Sequence, residues 1–174
     1  MSFIPNFDPH SVNLAPGQLY FGEAPRVIHT LLGSCVAITL WHSEKRIGGM
    51  CHFLLAQRDS YLKNEQHAEG YYGSDAVRYF VDQLERKKLR PQDFEVKLFG
   101  GGNMLEAVHS KPNLINVSKS NIEHGRHLLE DQGFVVKAED VGGVRYRKIF
   151  LDLSNGDVWV KYGKHSKSTG VSQP

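Results

Sequence analysis

The chain has neither a long apolar run nor a strong excess of one charge, and it holds only two cysteines in 174 residues. Its longest uninterrupted apolar stretch, CVAITLW, is far too short to span a bilayer, so no membrane insertion is expected. A net charge of +2 makes no demand for nucleic acid or an anionic surface as partner. The first residues, MSFIPNFDPH, lack the basic start and apolar run of a signal peptide, and a cytoplasmic protein is expected. Cys35 and Cys51 are the one possible disulfide. The register argued below puts them on opposite faces of a hairpin, and a cytosolic setting disfavours the bond, so free thiols are expected.

What is present suits one globular domain: 40% hydrophobic and 23% charged residues over a length that can bury a sizeable core. Residues 1–17 carry three of the seven prolines without periodicity and read as an irregular arm. Residues 18–162 read as a single domain, and 163–174, small and polar, as a disordered tail. Within the domain, Gln18–Gly22, Arg26–Leu32, Phe94–Phe99, Leu114–Val117, Phe134–Glu139, Arg145–Leu151 and Val158–Tyr162 read as strands. Gly142-Gly143 and Asn155-Gly156 are the connectors of the last three. Ser74 reads as the N-cap of a helix reaching about Leu89, with Val77, Phe80, Val81 and Leu84 on its buried face and Pro91 beyond its end. Ser120 to Glu123 fits a capping box for a second helix that stops at Gly133. Between them, 56–72 reads as an exposed loop. Clustered strands with about two helices predict an α+β fold.

The chemistry concentrates between His29 and Leu55. CVAITLW and RIGGMCHFLL read as the two strands of a hairpin joined through HSEK. A loop of Ser43 and Glu44 would pair Leu40 with Ile47, Ile38 with Gly49 and Cys35 with His52. Directly opposed residues share a face at roughly 4.5–5.5 Å between Cβ atoms, which would set a thiol beside an imidazole. A loop longer by two residues leaves Cys35 and His52 as diagonal neighbours on one face; a slip of one separates them. The glycine of Gly33-Ser34 permits a sharp turn and leaves backbone N–H groups near the thiol for a developing oxyanion.

Other constellations compete with this reading. Cys35 as a small hydrophobe and His52 as a satisfied interior imidazole is the plainest. His29, Cys35, Cys51 and His52 hold the ligand types of a zinc site. They lack its paired spacing, and Cys51 and His52 are strand neighbours pointing oppositely, so no metal is assigned. Gly100-Gly101-Gly102 lacks a phosphate loop's ending and reads as a tight turn or close backbone approach; no cofactor is expected. His124 and His127 read as surface residues of the second helix.

The segments LLGSCVAITLW…IGGMCHFLL, KLFGGGNML and VGGVRYRKIFLDLSNGDVWVK, in that order, resemble the signature blocks of the CheD family, the chemoreceptor glutamine deamidases of bacterial chemotaxis. The resemblance implies a hydrolase acting on linear amides, a protein-glutamine glutaminase that converts chemoreceptor glutamines to glutamate and ammonia. It implies a layered β-sandwich with helices, similar to the cytotoxic necrotising factor deamidases. Chemoreceptor cytoplasmic helices would be its substrate, and a CheC-type phosphatase a partner. The family's nucleophile and base fall on Cys35 and His52. Its third catalytic residue, a threonine that orients the histidine, commonly stands six residues before the cysteine; here that slot holds His29 and the threonine is Thr30. The role is carried to Thr30. Strand parity turns it away from Cys35 unless a bulge intervenes, and His29 or a backbone carbonyl could substitute. Gly33, Ser34 and His29 are the candidates for substrate or oxyanion contacts. Where many members read I-G-x-R-N, this chain has VSKSN, keeping Asn121 but with Ser118 and Ser120 for glycine and arginine. The alternative to an enzyme is a non-catalytic adaptor of the same family that binds receptors or a CheC-like phosphatase.

Overall fold

A computed structural model describes residues 9–58, 66–104 and 116–163. These form β1 (Ser11–Asn13), β2 (Leu19–Glu23), β3 (Val27–Leu32), β4 (Val36–His42), β5 (Ile47–Phe53), α1 (Gly73–Arg86), β6 (Glu95–Gly100), α2 (Val117–Asp131), β7 (Val136–Val141), β8 (Arg147–Asp152) and β9 (Val158–Tyr162). A single 3-10 turn, Pro91–Asp93, stands before β6. The strands make two sheets, β1-β3-β8-β9 and β2-β5-β4-β6-β7. This is an α+β sandwich. Among the described residues, no helix is long and apolar enough to cross a membrane.

The layers follow from strand alternation on β4 and β5, whose residues are buried almost throughout. Val36, Ile38 and Leu40 with Ile47, Cys51 and Phe53 face the helices, where Ala76, Val77, Phe80, Leu84 and Leu129 complete one core. Ala37 and Met50 face the other sheet and pack with Ile28, Leu32, Ile149 and Leu151 in a second core. Continuous apolar strands such as VAITLW are what a sheet covered on both faces requires.

Several expectations are corrected. The β4–β5 loop is four residues, not two: His42 faces Ile47, Leu40 faces Gly49 and Ala37 faces His52. The Arg46 N–H reaches back to the His42 carbonyl at 2.8 Å, and Arg46 takes a left-handed φ of 50°, so the turn closes two residues later. Helix α1 is capped by Tyr72 without a side-chain bond, and Ser74 lies inside it. Helix α2 begins at Val117 behind Asn116, whose side chain accepts the Lys119 N–H at 3.0 Å, so Ser120 is not its cap and Val117 is not strand. Finally, Ser11–Asn13 of the arm pairs in parallel with β3, and Ala56 and Tyr72 at the ends of the expected loop are buried. Leu114 and Ile115, residues 1–8 and the tail from 164 lie outside the described residues.

Candidate active site

Between Leu32 and Val36 the chain leaves one sheet and enters the other. That crossing decides where the chemical groups meet. On β3, Ile28, Thr30 and Leu32 are buried toward the second sheet, while His29 and Leu31 point outward. On β5, His52 lies on the same side as Met50, facing β3 across the sandwich. The Thr30 hydroxyl oxygen stands 2.7 Å from His52 Nδ1 and also 2.7 Å from the Leu14 carbonyl.

These two contacts fix the proton positions. A hydroxyl has one hydrogen, and a carbonyl only accepts, so the Thr30 O–H donates to Leu14 and its lone pair accepts from His52 Nδ1–H. The imidazole is then the tautomer with a bare Nε2. That nitrogen is buried and has no hydrogen-bond partner among the described residues.

Cys35 stands in the bend one residue before β4, near Ala37, which opposes His52, and it packs against the inter-sheet core toward which His52 also faces. Cys35 is half-buried and borders the inter-sheet core. Burial raises its thiol above the ordinary cysteine value, opposed by its own backbone N–H directed at the sulfur. Burial alone pushes His52 down to about 4. At neutral pH the pair is a thiol and a neutral base.

The glycine loop holds the Cys35 backbone. The Gly101 N–H donates to the Cys35 carbonyl and the Gly102 N–H to the Gly33 carbonyl, both at 2.8 Å. Gly100 has φ 104°, and a Cβ there would lie 2.3 Å from the Cys35 carbonyl oxygen. Close backbone approach is therefore what the three glycines permit. Helix α2 braces both halves of the site. Ser118 Oγ donates to the Gly102 carbonyl at 3.0 Å. Asn121 accepts the Ala56 N–H at 2.9 Å and donates to the Leu54 carbonyl at 2.7 Å, just beyond His52 on the chain. Neither residue's role was legible beforehand, since no local pattern ties a helix start to a distant carbonyl. The Leu14 carbonyl, supplied by the arm, had no sequence signal at all.

The remaining candidates are dispersed. His29 lies against Phe150 on the outer face, the rings tilted by 32° at 5.5 Å between centroids, on the side of β3 away from His52. Burial, with Lys148 nearby, lowers its pKa. Ser34 is exposed beside Cys35. Cys51 faces the helices, so it diverges from Cys35 and both thiols are free; the four residues of the zinc alternative point into three different layers.

A family described as CheD chemotactic sensory transduction matches residues 54–162. The chain is 42% identical over 155 residues to a probable chemoreceptor glutamine deamidase CheD 3 of Dechloromonas aromatica, covering 88% of each chain. It is 40% identical over 149 residues to a probable chemoreceptor glutamine deamidase CheD of Pseudomonas savastanoi pv. phaseolicola, covering 86% of this chain and 82% of that one. A Leptospira interrogans relative of the same description is 34% identical over 158 residues, covering 88% and 93%.

Proposed function

This chain belongs to the CheD family, and from that premise we propose that it is a chemoreceptor glutamine deamidase working through Cys35 and His52. The observation that carries the reading is the bare Nε2 of His52, without a hydrogen-bond partner among the described residues and held by Thr30 on the inter-sheet side where Cys35 also packs.

The chemistry follows from the two neutral groups. Cys35 Sγ attacks the side-chain carbonyl carbon of a substrate glutamine while its proton passes to His52 Nε2, because only the sulfur anion adds well. As the sulfur adds, negative charge develops on the substrate's carbonyl oxygen, and the backbone N–H groups of Gly33, Ser34 and Cys35 are the candidate donors to it. The tetrahedral adduct collapses, the carbon–nitrogen bond breaks, and His52 returns the proton to the departing ammonia. Water, deprotonated by the same Nε2, then cleaves the thioester to glutamate and the free thiol. Thr30 acts as orienter, holding the tautomer through both halves.

The substrate is taken to be a receptor's cytoplasmic helix and the setting cytoplasmic, on family membership. A CheC-type phosphatase is carried as a partner on family membership alone. Residues 18–162 are taken as the deamidase domain, to which the arm lends the Leu14 acceptor.

The test is incubation of the protein with a receptor cytoplasmic fragment, followed by mass spectrometry. Glutamine residues that gain the mass of glutamate with wild type, and do not with Cys35→Ala, are expected. No conversion across several native receptors overturns the enzyme in favour of an adaptor. Conversion that survives Cys35→Ala overturns the nucleophile.

A further inference from the structure

The outer face of the smaller sheet is a regular grid. In one row His29, Phe150 and Trp159 lie side by side across β3, β8 and β9. In the next, Leu31 faces Lys148, which faces Lys161. A third row continues the register past the strand ends: the Tyr146 ring lies 3.2 Å from where a Gly33 Cβ would stand, and the Gly163 N–H donates to the Tyr146 carbonyl at 2.9 Å. Tyr146 is thus flanked by two residues without side chains, and the row ends two residues before Cys35.

Three large apolar groups on this face stay in water: Leu31 is 58% exposed, Tyr146 52% and Trp159 46%. Phe150 at the centre of the face is buried, with the exposed groups set around it, and exposed apolar groups of this size are the usual mark of an interaction site. Lys148 and Lys161 form no ion pair among the described residues, although Lys148 lies 5.3 Å over the Phe150 ring. Three strands span about 10 Å and five residues about 13 Å, which matches one α-helix of about 10 Å diameter and not a second sheet.

We propose that this face docks an amphipathic, acidic helix of the substrate receptor, laying its apolar stripe on Leu31, Tyr146 and Trp159 and its carboxylates on Lys148 and Lys161, so that the target glutamine arrives at Cys35. The proposal rests on the deamidase reading and deepens it by naming the substrate's chemistry. A footprint this small suits a transient encounter, below about 1,200 Å² of buried surface. Its two cations set encounter rate and salt dependence more than lifetime.

Docking is separable from chemistry by direct titration. Full-length protein carrying Cys35→Ala is titrated with a receptor cytoplasmic fragment while tryptophan emission is followed, with Trp159→Phe identifying the reporting ring. A blue shift that vanishes in Trp159→Phe is expected, together with a dissociation constant at least tenfold weaker in Lys148→Glu/Lys161→Glu and a shallower salt dependence. Binding without a Trp159 shift, or charge reversal leaving affinity within twofold, overturns the proposal. An emission already blue-shifted in the protein alone, which moves red on dilution or on removal of residues 164–174, assigns the face to a second copy or to the chain's own end and also overturns it. Docking as expected, with no deamidation by the wild type, instead defeats the enzyme reading and leaves the surface standing.

Discussion

The Thr30 hydroxyl meets His52 Nδ1 at 2.7 Å across the gap between two sheets, and its proton is committed to the Leu14 carbonyl. Thr30 therefore sets the imidazole's tautomer, its hydroxyl engaged by these two contacts. Thr30→Val keeps the shape, removes the acceptor and frees the ring to rotate. Its kcat for deamidation should fall by roughly 10²-fold, a large part of the 10²–10⁴ that general-base catalysis typically supplies. Thr30→Ser should retain most of it. Equal loss in Ser and Val would reduce Thr30 to a packing residue.

The pH dependence has a definite sign. His52 is a neutral base above about 4, so the acid limb of kcat/KM should lie near pH 4, well below the ordinary histidine range. Alkylation of Cys35 by iodoacetamide without substrate should be slow at pH 7 and rise only as the pH passes the ordinary thiol value, because burial holds the proton on. An acid limb between pH 6 and 7 would mean that His52 titrates as an ordinary imidazole, and fast alkylation at pH 7 would mean a thiolate–imidazolium pair and would overturn the neutral mechanism.

The same histidine couples stability to pH. Unfolded, it binds a proton near pH 6.5; folded, only near 4. Between those values the unfolded chain holds more protons, so stability is full above 6.5 and drains away as the pH falls toward 4. The loss attributable to His52 is on the order of 3 kcal/mol. Urea melts of wild type and His52→Gln at pH 7 and 4.5 should show it as a smaller drop in the variant.

Gly100→Ala tests the glycine loop. An added Cβ would lie 2.3 Å from the Cys35 carbonyl at a backbone angle side chains rarely adopt. The nucleophile's backbone, or the loop, has to move. Activity should fall by at least 10²-fold, since misplacement by about 1 Å costs that much, even where circular dichroism reports a folded protein. Near-normal kcat would show that the loop does not position Cys35.

Asn121→Ala leaves a buried N–H of Ala56 and a part-buried carbonyl of Leu54 without these partners. A cost of roughly 2–4 kcal/mol follows from two orphaned groups, visible as a lower denaturant midpoint. Ser118→Ala removes one bond, to the Gly102 carbonyl, and should cost about 1 kcal/mol. A neutral Asn121→Ala would place those backbone groups in contact with water.

Local sequence pattern was enough for most of the strands, both helices, the Gly133 stop and the Asn155-Gly156 turn, because each depends on neighbours a few residues apart. Patterning also put Cys35 and His52 on one face of one hairpin, since both the two-residue loop and the observed four-residue loop keep that parity. Loop length itself was not readable: it turned on Arg46 accepting a left-handed backbone, which no composition rule demands of arginine. The position of Thr30 belonged wholly to tertiary structure. Counting alternation from Thr30 to Cys35 presumes one continuous strand, whereas the chain changes sheets between Leu32 and Val36. Across that break period-two counting carries no information, and Thr30 comes to His52 from the opposite sheet, while His29 turns outward. The chain's own order of residues determined which groups could do the chemistry; only the packing of two sheets, with an arm carbonyl and a helix start brought in from far along the chain, decided which of them meet.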